Sequence, residues 1–88
     1  MEYYYSVARG QLPPEIAKLN RNDREAAIVS AGLGIMDTEI AMRRYIDRLA
    51  QADIGAIVGR DRSVVSKRLK DIEPQVIAAS RPHINIPQ

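Results

Sequence analysis

The 88-residue chain contains no cysteine and carries thirteen Lys and Arg against eleven Asp and Glu, a formal net charge of +2. That length fits one small domain, since domains usually run to about 50–200 residues, and the missing cysteine excludes disulfides, thiol nucleophiles and cysteine-based zinc sites. The opening MEYYYSVARG lacks the apolar run of a signal peptide, and no run of about 18 apolar residues offers a membrane span, so a cytoplasmic protein with no membrane partner is expected.

In chain order, residues 1–12 read as an arm containing Tyr3, Tyr4 and Tyr5. These tyrosines either pack back onto the core or contact a partner. Pro13 and Pro14 suit a first helical turn and open a short helix over Glu15–Leu19. Asn22 with Glu25 three places on reads as a capping box. It starts a second helix from Asp23 to about Ala31, with Ala27, Ile28 and Ala31 on its apolar face. Gly32 and Gly34 end it. Asp37 or Thr38 then caps a third helix to Leu49, striped by Ala41, Met42, Tyr45, Ile46 and Leu49. Arg43, Arg44, Asp47 and Arg48 are expected to face outward, with Arg43 and Asp47 paired at i,i+4.

The fourth helix spans Gln51–Val58, with Ile54, Ile57 and Val58 apolar. Gly59 supplies the left-handed residue that closes it and turns the chain. Asp61 caps a fifth helix over Arg62–Glu73, whose buried face is Val65, Leu69 and Ile72 at i, i+4, i+7. Pro74 bends the chain or begins a last short helix through Ser80, carrying Val76 and Ile77. Residues 81–88 read as an irregular tail, where the sole histidine, His83, has no ligand cluster beside it. The expectation is an all-α domain over residues 13–80, a small bundle of four to six helices.

Charge is unevenly placed along this plan. Residues 1–42 hold four basic and six acidic side chains, residues 43–70 eight and three, and residues 71–88 one and two. From Arg60 to Lys70 five basic residues meet one acid, Asp61, which is accounted for as a cap. A solvated helix would normally alternate Glu with Lys; a basic face with small hydroxyls suits a polyanion instead. A short helix, a glycine turn and a second helix with a basic face make a helix-turn-helix, at about residues 51–73. Its second helix would enter the major groove of double-stranded DNA with Arg62, Ser63, Ser66, Lys67 and Lys70. Gln51, Arg60 and Arg68 would hold phosphates, with Arg68 alternatively paired to Asp61 or Asp71. Arg43, Arg44 and Arg48 either flank the groove on phosphates or form a solvated face. Val64 packs at the core edge or touches a thymine methyl.

The stretch QADIGAIVGRDRSVVS, Gln51 to Ser66, resembles the helix-turn-helix of bacterial and phage regulators. Upstream, MRRYIDRLAQADI, Met42 to Ile54, looks like the helix preceding that motif in region 4 of sigma factors and in sigma-like phage regulators. The resemblance covers about residues 38–73 and implies a DNA-binding transcriptional regulator of phage or mobile-element type. Two positions depart from it. Ala50 stands where the family usually caps with Ser or Thr, and Gly55 where it usually has Ala. Gly55 would be tolerated if the two helices cross very closely there.

No nucleophile–base pair, phosphate-binding glycine loop or set of spaced metal ligands appears, so neither an enzyme nor a cofactor is expected. One such module makes few contacts, so a homodimer on two half-sites or a larger complex is expected. The alternative is a protein-interaction module that uses the same fold to bind RNA polymerase or another regulatory protein.

Overall fold

A computed structural model describes residues 12–84 of the chain, with side chains placed over residues 12–81. It is all-α: α1 (Pro14–Ala17), α2 (Arg21–Ser30), α3 (Ile35–Ala41) running into a π-helical turn (Met42–Ile46), α4 (Gln51–Val58) and α5 (Arg62–Ile84). No strand occurs among the described residues. Tyr3, Tyr4, Tyr5 and residues 85–88 of the tail lie outside them.

The long α5 organises the bundle. It touches α1, α2, α3 and α4, and the expected stripe of Val65, Leu69 and Ile72 is buried and continues to Val76. Against it lie Leu12 and Ile16, Ala27 and Ile28 of α2, Ile40 and Ala41 of α3, Tyr45, and Ile54 of α4. Leu12 therefore belongs to the core and not to the arm. Each fully buried aliphatic contributes roughly 1.5–3 kcal/mol relative to exposure.

Several boundaries differ from the sequence reading. The short first helix runs Pro14–Ala17, not to Leu19. α2 begins two residues earlier than expected, because Asn20 is its cap and accepts the Asp23 amide at 2.7 Å. The Asn22–Glu25 capping box is absent. α3 begins at Ile35 behind Gly34. Thr38 donates to the Leu33 carbonyl at 3.3 Å, and Asp37 is engaged elsewhere, so neither caps it. α5 continues unbroken through Pro74 to Ile84, replacing both the expected break and the irregular start of the tail.

The third helix also ends differently. It widens into the π turn, in which Asp47 N–H reaches the Met42 carbonyl at 3.1 Å and Leu49 N–H the Arg43 carbonyl at 3.0 Å. Arg48 closes it with a left-handed backbone, φ 63°. A non-glycine residue there costs roughly 1–2 kcal/mol. Arg24 of α2 crosses to this end and donates to the Tyr45 carbonyl at 3.0 Å and to the Leu19 carbonyl at 2.7 Å. It thereby satisfies one acceptor at the end of the π turn and one in the link between α1 and α2.

Pro74 is exposed and removes one backbone donor inside α5 while its ring crowds the carbonyl of Lys70. Pro74→Ala is expected to stabilise the protein by about 2 kcal/mol: roughly 3 from the helix-interior penalty, less up to about 1 for the freer unfolded chain. Urea unfolding midpoints at unchanged slope check this.

Candidate nucleic-acid interface

α4 starts with no side-chain cap at Ala50 and closes at Gly59 with φ 72°, ψ 34°. The turn is drawn tight by the Arg60 N–H, which donates to the Gly55 carbonyl at 2.9 Å. A Cβ on Gly55 would stand 2.5 Å from the Arg60 carbonyl oxygen. The close approach is therefore between α4 and the backbone of the turn itself, and alanine's usual helical advantage is reversed. α5 then starts at Asp61, whose carboxylate accepts the Ser63 amide at 3.1 Å and the Ser63 hydroxyl at 2.6 Å. Those two bonds, the hydroxyl first, hold the Asp61 carboxyl below its ordinary value.

Past this cap the outer face of α5 is open. At about 100° per residue, Arg62, Ser63, Ser66, Lys67 and Lys70 fall within an arc of roughly 140°. Arg62, Ser63, Lys67 and Lys70 are exposed, and Ser66 is half-buried. Arg62, Lys67 and Lys70 make no hydrogen bond or ion pair among the described residues. Ser63 is partly committed, because its hydroxyl proton goes to Asp61; it can still accept. Val64 is half-buried, as expected for core-edge packing.

The expected phosphate ligands divide. Gln51 is half-buried at the start of α4, and Arg60 is exposed with only a long 3.4 Å contact to the Gly59 carbonyl. Arg68 is not free: its Nε and Nη2 grip the two carboxylate oxygens of Asp37 at 3.0 and 2.6 Å, and Nη1 reaches Asp71 at 3.2 Å. Asp37 first, by hydrogen bond and then by charge, raises the Arg68 pKa. This fork locks α5 to α3 across thirty-one positions of sequence. Asp71 was one of the alternatives the sequence offered for Arg68, beside Asp61 and a phosphate; Asp37 has no local signal.

Arg44 does not face outward. It is 7 % exposed and donates to the Leu49 carbonyl at 2.9 Å. The signal was available, since Arg44 lies four places after buried Ile40 and three after buried Ala41, on the inward stripe. Arg43 is held between Glu39 at 2.7 Å and Asp47 at 3.3 Å. Arg48 is exposed with no ion pair or hydrogen bond among the described residues. Ile57 is turned outward, 48 % exposed, as are Val29 and Ile35 of the neighbouring helices.

Among the described residues no group of His, Cys, Asp and Glu could hold a metal ion, and no helix is long and apolar enough to cross a membrane. Compared with protein-family models, curated proteins and solved structures, the chain matches none.

Gly55→Ala is expected to cost about 1–3 kcal/mol by forcing the turn apart, more than any gain in helix propensity, measured by chemical denaturation. The cap gives a second test. Because folding lowers the Asp61 pKa, its contribution is complete above the ordinary value of 3.8 and lost as pH falls below it. Asp61→Asn should retain much of the cap at neutral pH and flatten the acid limb of a thermal-stability profile.

Proposed function

We propose that the chain is a sequence-specific DNA-binding transcriptional regulator that presents the first turns of α5 to the major groove as the second helix of a helix-turn-helix. The observation carrying this reading is the open outer face: Arg62, Lys67 and Lys70 are exposed and make no hydrogen bond or ion pair among the described residues, while no acid lies between Arg62 and Lys70. The carboxylates flanking that stretch, Asp61 and Asp71, are already engaged by Ser63 and Arg68. A polyanion supplies the missing negative charge, and the side chains that reach it are long enough to enter a groove. Arg62, Ser63, Ser66, Lys67 and Lys70 take base edges in this reading. Arg60, Gln51 and Arg48 take phosphates. Arg68, Arg43 and Arg44 leave the ligand set, because their guanidinium groups are already engaged by Asp37 and Asp71, by Glu39 and Asp47, and by the Leu49 carbonyl.

A second reading, a module that docks on polymerase or another regulator, draws on the exposed Val29, Ile35 and Ile57. Apolar side chains of that size facing water are a common feature of protein contacts.

Lys67→Ala combined with Lys70→Ala is expected to weaken duplex binding and to flatten the slope of log K against log salt by up to about 1.8, if each lysine neutralises one phosphate's worth of charge. Gel shifts or anisotropy over a salt series, with unfolding curves to show that both variants fold, check it. An unchanged slope would sink the DNA reading. No shift of random duplex at low salt with micromolar protein, together with capture of polymerase, would favour the second.

A further inference from the structure

Away from α5 in sequence, Arg24 and Arg44 are anchored to carbonyls at the end of the π turn that Arg48 closes. Arg24 arrives from α2 and is anchored to the carbonyls of Tyr45 and Leu19 at 3.0 and 2.7 Å, and its Nε is buried without an acceptor. Arg44 is buried and anchored to the Leu49 carbonyl at 2.9 Å. Neither has a carboxylate partner among the described residues. Arg48, between Tyr45 and Leu49 in the chain, has its side chain in solvent and makes no hydrogen bond or ion pair among the described residues. Arg21, one turn before Arg24, makes only an exposed 3.8 Å contact with Glu25.

Such a gathering opposes the fold. Burial lowers the Arg24 pKa first, and the charges of Arg48 and then Arg21 lower it further. Burial also leads in lowering that of Arg44, with Arg48 adding to it against an opposing contribution from Tyr45. The backbone of Arg48 is unfavourable as well. Its φ of 63° nearly matches the 72° of Gly59, which closes the next helix without a side chain. Glycine at position 48 would remove both the strain and the repulsion. What arginine adds there is an open guanidinium fork beside the anchored charges of Arg24 and Arg44, the group best shaped to grip a tetrahedral oxyanion.

We propose that Arg48, supported by the charge of Arg24 anchored at the same turn, receives a phosphate group. That group is either a backbone phosphate of DNA or a free phosphate, and the site stands whether or not α5 binds DNA. The test begins with thermal unfolding of the full chain as phosphate replaces chloride at constant ionic strength, comparing wild type with Arg48→Gly. The variant is expected to unfold at a higher temperature than wild type in chloride, and wild type to gain more from phosphate than the variant does. General exclusion of phosphate from protein surfaces acts on both alike and cancels. A second arm measures duplex affinity over a salt series. A slope shallower by about 0.9 in Arg48→Gly identifies a DNA phosphate, whether or not free phosphate also stabilises. An unchanged slope, or no duplex binding at all, with the phosphate response intact in wild type and reduced in the variant identifies a free one. Equal phosphate responses in the two proteins with an unchanged slope would overturn the proposal. Loss of duplex binding by the Lys67 and Lys70 double variant alone bears only on α5.

Discussion

Everything in this bundle leans on one dry stripe. Val65, Leu69, Ile72 and Val76 occupy one side of α5, and α1 to α4 all reach it. A helix that must bury one face against four neighbours has its rotation about its own axis set by that burial. The opposite face is then set too, and Arg62, Lys67 and Lys70 are directed to solvent as a consequence of packing. The same helix therefore makes the core and carries the candidate interface.

The entry to that rod is shaped by backbone geometry more than by side chains. Gly59 turns the chain, Gly55 leaves room for the carbonyl of Arg60, and the Arg60 amide returns a hydrogen bond to Gly55. Gly55 and Gly59 thus serve different ends, one supplying a left-handed residue and the other an absence of volume. The preceding helix end solves the same closure differently. It widens into a π turn and places Arg48, not glycine, in the left-handed position. Arg24 then supplies donors to the carbonyl of Tyr45.

The arginines separate into two kinds. Arg24, Arg43, Arg44 and Arg68 are structural: each spans elements or turns and spends its donors on carbonyls or carboxylates. Arg48, Arg60 and Arg62 are left exposed. Exposed pairs such as Arg43–Asp47 contribute little. The forked Arg68–Asp37 contact is different in kind, since its two parallel bonds fix the relative orientation of α3 and α5.

Local patterns were readable along the chain. Alternation at 3.6 residues marked the all-α class, the dry face of α5 and the bounds of α4, because those depend on which residues repeat on one side of a helix. Gly59 and Asp61 announced a turn and a cap for the same local reason. Sequence alone chose Asn22 over Asn20 as a cap, ended α5 at Pro74 and turned Arg44 outward. The cap was a choice between two local candidates, which the Asp23 amide on Asn20 decides. Pro74 is carried inside α5 by the continuity of its buried stripe through Val76. Arg44 turns inward on the stripe of Ile40 and Ala41 to reach the Leu49 carbonyl. Only the tertiary structure decided that Arg24 and Arg68 are spent, because the Tyr45 carbonyl and the Asp37 carboxylate that claim them lie on other elements. Asp37 is a helix and a half away from Arg68 in the order of the chain, and no spacing within either helix could have joined them.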